Sequence, residues 1–255
     1  MKVIAILQAR MGSTRLPGKV LRPILGKPMI EWMFRQLASC TGIDEFILAT
    51  TTASSDDAVG AWAEEHGVRL YRGSEQDVLD RYYQAALAVG LGKGDIVVRM
   101  TCDCPLIQPD LCDRAVEEFR SGGYDYLYTG PLYAEGLDCE VMTFDVLARS
   151  WRETTLPSDR EHVTLYIRER TDIFKLRFMD NKTDDGHYRV TVDEAIDFQV
   201  VSAIIEALYD PAEPFIRIDA VKDWLKTHPE VMALNSHVIR NEGTLKSLKK
   251  DGRLP

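Results

Sequence analysis

A short apolar run, Val3-Ile4-Ala5-Ile6-Leu7, gives way abruptly to a polar and cationic stretch, Gln8-Ala9-Arg10-Met11-Gly12-Ser13-Thr14-Arg15-Leu16-Pro17-Gly18-Lys19. The run is partly β-branched and does not alternate with polar residues, which predicts a strand buried on both faces. An amphipathic helical pattern follows over Met29–Leu37. A strand that opens into such a loop is a common way to build a phosphate site. Gly12 lets backbone approach a ligand, Ser13 and Thr14 offer hydroxyls, and turn N–H groups can form an anion-binding concavity. Arg10, Arg15 and Lys19 add three cations suited to phosphate oxygens. The spacing matches neither the P-loop nor the dinucleotide glycine pattern. A solvated basic loop is the plain alternative, and the residues alone leave the two readings open.

The 255-residue chain as a whole is acidic, with a formal net charge of −9. That argues against a general nucleic-acid binder, which carries a basic face. A cationic loop in an acidic chain points instead to a small anionic ligand. No apolar run reaches the roughly 18 residues of a membrane span, so no membrane partner is expected. The start has no signal-peptide shape, and five cysteines, an odd number, fit free thiols in a reducing compartment. A cytoplasmic location is the expectation.

Strand and helix signals then alternate. Strands are predicted at Glu45–Thr50, Val68–Tyr71 and Asp95–Met100, with helices at Asp56–His66 (capped by Ser54 or Ser55), Asp77–Val89 and Pro109–Phe119. This βαβα order predicts an α/β fold, a mostly parallel sheet covered by helices on both faces. The regularity changes afterwards. Short strands are predicted at Tyr124–Tyr128, Val141–Phe144, Ile173–Phe178 and His187–Val192, and helices at Ser158–Glu169, Asp193–Leu208 and Ile218–Lys226. We expect one domain over 1–255, with an inserted β-arm at about 129–180 and a looser, basic tail over about 211–255. In that arm Leu132, Tyr133, Leu137, Val141 and Phe144 lack an evident home in the main sheet, which makes them candidates for a partner's surface.

Two carboxylates stand where a parallel strand meets a loop. Asp103 follows Val97-Val98-Arg99-Met100-Thr101-Cys102, and Asp193 follows Arg189-Val190-Thr191-Val192. Strand ends are where α/β folds bind ligands, and Mg²⁺ takes one or two carboxylates plus phosphate oxygens and water. The bland alternatives are a turn cap for Asp103 and a helix cap for Asp193. Cys102 and Cys104 have no second Cys or His pair at zinc spacing and are expected to be buried thiols. Arg160-Glu161-His162 offers a possible base, or only a salt-bridged helix face.

Ala9-Arg10-x-x-Ser13-Thr14-Arg15-Leu16-Pro17-Gly18-Lys19 with Gly26-Lys27-Pro28-Met29-Ile30 resembles the opening of the sugar-activating cytidylyltransferases, which include the CMP-KDO and CMP-sialic acid synthetases. Within them the chain is most similar to the spore-coat polysaccharide biosynthesis group, over about residues 2–208 and again at Asn241-Glu242-Gly243. The resemblance implies a three-layer α/β/α, Rossmann-like fold of the nucleotide-diphospho-sugar transferase type, and a Mg²⁺-dependent transfer from CTP to a small polar acceptor. It places Gln8, Ala9, Arg10, Gly12, Ser13, Arg15, Lys19 and Thr101 around the nucleotide. Arg72, Gly73, Ser74 and Asp77 match the segment beside the base. Asp103 and Asp193 match the metal-holding aspartates, although Cys102 stands where the family has glycine and Glu194-Ala195-Ile196 where it has Thr-Pro-Glu. Asp138, Glu140, Arg160 and His162 match segments near the acceptor, and similar enzymes form homodimers by exchanging an arm. Arg15, Lys19, Asp103 and Asp193 are thus the expected catalytic set. The alternatives are a glycosyltransferase of GT-A type, which usually carries Asp-x-Asp where this chain has Asp103-Cys104-Pro105, and a non-catalytic nucleotide-binding regulator. Pyrophosphate release separates the three.

Overall fold

A computed structural model describes residues 1–254, and in it the opening apolar run is strand β1 (Val3–Gln8). Val3, Ala5 and Leu7 feed one hydrophobic core, while Ile4 and Ile6 feed a second on the opposite face. Burial on both faces is why the run has no polar alternation. After the loop a small hairpin, β2 (Pro23–Ile24) and β3 (Lys27–Pro28), turns the chain into α1 (Met29–Leu37). The alternation continues through β4 (Glu45–Thr51), α2 (Asp57–Glu65), β5 (Arg69–Gly73), α3 (Val78–Ala88), β6 (Ile96–Thr101), α4 (Pro109–Gly122) and β7 (Tyr126–Tyr128). Then come β8 (Glu140–Thr143), α5 (Phe144–Glu153), α6 (Pro157–His162), α7 (Leu165–Glu169) and β9 (Leu176–Phe178). The chain ends with α8 (Ala195–Leu208), α9 (Ile218–Thr227), α10 (Pro229–Leu234) and α11 (Glu242–Lys250).

Seven strands form one sheet in the order β5-β4-β1-β6-β8-β7-β9. β1 pairs in parallel with β4 and β6, and β8 runs antiparallel to both its neighbours. Side chains from α1, α2, α4, α8 and α9 join the core that holds Val3, and those from α3, α5 and α7 join the core that holds Ile4. The result is the expected three-layer α/β/α arrangement with a mixed, mostly parallel sheet.

Several expectations need correction. His187–Val192 is not a strand. Its Val190 N–H goes to the Glu135 carbonyl and its Val192 N–H to the Asp103 carbonyl, both at 2.8 Å, so it is stitched to two loops instead of a ladder. The helix expected over Ser158–Glu169 is two helices, broken at Val163, a β-branched residue at φ 61°. Val141–Phe144 was expected to end as strand, but Thr143 caps a new helix, accepting the Val146 N–H at 3.2 Å. Neither Ser54 nor Ser55 caps α2. Asp56 is spent instead on tying the Met11 N–H, at 2.7 Å, to Thr51. Helices α9, α10 and α11 occupy much of the tail. Two strands of the stretch expected as an arm, β8 and β9, sit in the main sheet. Tyr133, Leu137 and Val141 are buried in the chain's own core, which removes them as a surface for a partner, whereas Leu132 is exposed.

Candidate active site

β1 and β6 run side by side with Gln8 opposite Thr101, so both end at the same edge of the sheet. Ligands of open α/β sheets bind outside that edge. A cavity of about 730 Å³ opens there. Gly18, in the left-handed region at φ 71°, lets the loop fold back until its N–H meets the Met11 carbonyl at 2.9 Å. That turn delivers Lys19 into the cavity.

The Lys19 ammonium sits between two carboxylates, 3.1 Å from Asp103 Oδ2 and 3.1 Å from Asp193 Oδ1, and donates to the Val192 carbonyl at 2.6 Å. Burial works against the Lys19 charge, but Asp103 and Asp193 outweigh it and raise its pKa above the ordinary lysine value. Burial likewise pushes Asp103 up, and Lys19 with Thr101 reverses this and holds it below the usual carboxylate value.

Asp193 is held from three sides. Arg15 approaches at 3.0 Å, Lys19 at 3.1 Å and Arg189 at 3.2 Å. Arg189 is itself gripped by Asp197 at 2.8 and 2.9 Å and by Glu135 at 2.5 Å. Asp197 also accepts the Asp193 and Glu194 N–H groups, both at 3.0 Å, and an Asn235 amide at 3.0 Å. Asp197 therefore opens α8 and orients Asp193 through Arg189; it does not line the cavity. On the other side, Gly136 at φ 108° lies so close to the Val190–Thr191 backbone that a Cβ there would meet Thr191 N at 2.5 Å. Only glycine permits this approach, which sets Asp138 beside the cavity.

The far end of the cavity is built on β6 and β8. Arg99 and Glu140 pair at 3.0 Å, and both are largely buried. His162 Nδ1 lies 3.4 Å from Thr244 Oγ1. Burial, with Arg99 and Arg168 nearby, lowers the His162 pKa and favours the neutral imidazole, although Glu161 works in the opposite direction. His162 Nε2, Glu140 Oε2 and Arg99 Nε have no hydrogen-bond partner, and all three residues line the cavity. Buried polar atoms left this way are normally satisfied by a ligand or water.

The sequence-assigned residues divide in two. Gln8, Ala9, Arg10, Ser13, Arg15 and Lys19 line the cavity from the loop, with Thr101, Asp103 and Asp193 from strand and loop ends and Asp138, Glu140 and His162 from the far side. Six others fall outside it. Gly12 backs onto Glu75. Arg72 binds the Thr51 and Ala53 carbonyls and Asp57. Gly73 packs against Tyr71 and Arg81, and the Ser74 hydroxyl accepts the Asp77 N–H at 3.0 Å. Asp77 caps α3 and pairs with Arg160 at 2.5 Å, so these two satisfy each other. Sequence reasoning passed over Arg99, Arg168, Glu135 and the stretch 240–250, all of which reach the cavity. A charged Arg99 inside an apolar strand was the one available signal.

Asp103 and Asp193 converge on one cation-sized point, now marked by the Lys19 nitrogen. Two hard carboxylates completed by phosphate oxygens and water are a donor set that Mg²⁺ takes, so these residues fit that ion. Among the described residues no group of three or more His, Cys, Asp or Glu side chains is placed to hold a metal alone. Burial pushes the Cys102 and Cys104 thiols well up, which leaves them protonated.

A family model described as Cytidylyltransferase matches residues 4–222. The chain is 33% identical over 213 residues to the spore coat polysaccharide biosynthesis protein SpsF of Bacillus subtilis, a match covering 80% of this chain and 86% of the relative. A solved cytidylyltransferase from Leptospira borgpetersenii superposes with a TM-score of 0.85 at 32% identity, covering 94% of this chain and 100% of that one. A CMP:2-keto-3-deoxy-manno-octonic acid synthetase solved in complex with CTP shares the fold, with a TM-score of 0.60 at 18% identity over 81% of this chain and 99% of that one.

Proposed function

This chain belongs to the cytidylyltransferase family, and from that premise we propose that it condenses CTP with a small, hydroxyl-bearing acceptor in surface polysaccharide synthesis. An acceptor oxygen attacks the α-phosphate in line, the bond to the β-phosphate breaks, and pyrophosphate leaves. The observation that carries this reading is the convergence of Lys19, Asp103 and Asp193 at the sheet edge, with Arg10 and Arg15 beside them. Among the described residues Arg10 makes no ion pair, so its guanidinium is available to phosphate oxygens. Arg10, Arg15 and Lys19 hold the triphosphate and offset the charge of the leaving pyrophosphate. Asp103 and Asp193 would hold Mg²⁺, which supplies further charge neutralisation at the reacting phosphates when bound.

The acceptor fits the far end. Glu140 Oε2 needs a donor, Arg99 Nε needs an acceptor, and His162 Nε2 takes either role. A hydroxyl supplies both, so a sugar, a sugar acid or a related polyol suits the three. The spore-coat relative is a polysaccharide biosynthesis protein, and the structural neighbour complexed with CTP is a synthetase for a CMP-linked sugar acid, which supports this reading.

The test is pyrophosphate release from CTP and Mg²⁺ against sugar acids, neutral sugars and phosphorylated polyols. Asp103→Ala or Asp193→Ala should lower the rate at least ~100-fold, as loss of a preorganised electrostatic group does. No release with any acceptor, together with no stabilisation by CTP, refutes the assignment.

A further inference from the structure

The stretch beyond residue 222 lies past the family match, yet part of it walls the cavity. Asn241 opens α11 from the left-handed region, at φ 55°. Along the helix, Thr244 touches His162 and the Ser247 hydroxyl donates to Glu161 at 2.8 Å. Just after it, Asp251 accepts the Ser158 N–H at 2.8 Å, and Arg253 binds Asp159 at 2.6 Å. The helix therefore lies across the acceptor end, with its C-terminal end pinned to α6.

Its N-terminal end is held by the Asn241 N–H on Glu135 at 3.3 Å, by Arg240 on the Pro131 and Tyr133 carbonyls at 3.2 and 3.0 Å, and by Glu242, which also pairs with Lys246 at 2.8 Å. Glu242 Oε2 lies 3.3 Å from the Arg15 guanidinium. Arg15 also faces Asp193 at 3.0 Å and Glu194 at 3.8 Å, so three carboxylates surround it. Arg15 is one of the cations that the proposed reaction gives to the triphosphate. Of the three carboxylates, Glu242 belongs to the element that covers the acceptor end. A triphosphate arriving at Arg15 meets this carboxylate already in place, and two anions close to one guanidinium repel each other.

We infer that Glu242 is a positioning residue that competes with the phosphates of CTP for Arg15, so that CTP binding removes one tether of the N-terminal end of α11 and loosens the acceptor end of the cavity. The inference rests on the CTP reading above. It makes binding ordered, with nucleotide first and acceptor second. It also gives a role to the C-terminal segment, which lies past the family match.

The test is calorimetric titration of CTP with Mg²⁺ into the full chain, the variants E242Q, E242D and R15Q, and the double variant. E242Q should bind CTP roughly three- to tenfold more tightly, the range for removing an exposed ion pair and a like-charge contact. E242D, which keeps the charge, should stay near the wild-type value. In the R15Q background E242Q should gain nothing, which a merely structural role for Glu242 would not produce. Amide exchange over residues 242–250 of the wild-type protein should rise when CTP binds, a readout that needs no variant to fold. Unchanged or weaker CTP binding in E242Q, an equal gain without Arg15, or unaltered exchange overturns the inference. Absence of CTP binding by the wild-type protein is a different result, and it overturns the function itself.

Discussion

Replacing Lys19 by Met keeps the buried stem and removes the ammonium. Asp103 and Asp193 each lie 3.1 Å from that one nitrogen, so their oxygens are left facing one another at close range. Two unit charges ~6 Å apart repel by roughly 3 kcal/mol at an effective dielectric of about 20. The Val192 carbonyl also loses its donor, which adds about 1 kcal/mol. Both carboxylates are about a quarter exposed, so partial solvation and proton uptake limit the loss. We expect a loss of about 2–4 kcal/mol near neutral pH, or roughly 5–10 °C in Tm for a chain of this size. The sign with pH follows from the shifts. Asp103 has a lowered pKa, so its contribution is present above the unfolded value near 4 and is lost as pH falls through the folded value. Lys19 has a raised pKa, so its contribution is complete below about 10.5 and is lost only as pH climbs through the folded value. Between these limits the deficit of the variant is full, and it shrinks toward pH 4 as Asp103 takes up its proton. Millimolar Mg²⁺ should restore more stability to the variant than to wild type, because the pair can then hold the ion in the ammonium's place. Thermal melts across pH, with and without Mg²⁺, measure all of this. Equal stability at neutral pH, or a deficit that grows on acidification, refutes the reasoning.

Asp197→Ala should cost about 3–5 kcal/mol in chemical denaturation, because it leaves the buried Arg189 without its bidentate partner and removes the N3 half of the α8 capping box; a loss below about 1 kcal/mol contradicts it. At matched Mg²⁺, CTP should raise Tm more than ATP does, as the proposed cytidylyl transfer requires. Equal shifts count against pyrimidine selection. Among the described residues of the stretch 129–180, Leu132, Leu156 and Phe178 are the exposed large apolar side chains left for a homodimer. Light scattering decides it, and a 28.9 kDa particle excludes it.

Short-range physics made the sheet edge readable in advance. The unbroken apolar run at Val3–Leu7 states that both faces of a strand are covered, and Asp103 just past the next central strand shares its edge because parallel neighbours end together. Lys19 was legible as a phosphate cation, but the left-handed turn that delivers it is at Gly18, not at Gly12, to which the sequence reading assigns the glycine's role. Which charge meets which was another matter. Asp77 and Arg160, assigned from sequence to opposite ends of the site, neutralise one another outside it. Nothing local marks Arg189 for a role, yet it orients Asp193. Glu242 belonged to a tail expected to be loose, and it sits on Arg15. Spacing along the chain encodes helical period, caps and turns, because those act over three or four residues. An ion pair is decided by which distant segment the topology carries within about 4 Å, and no local pattern records that distance.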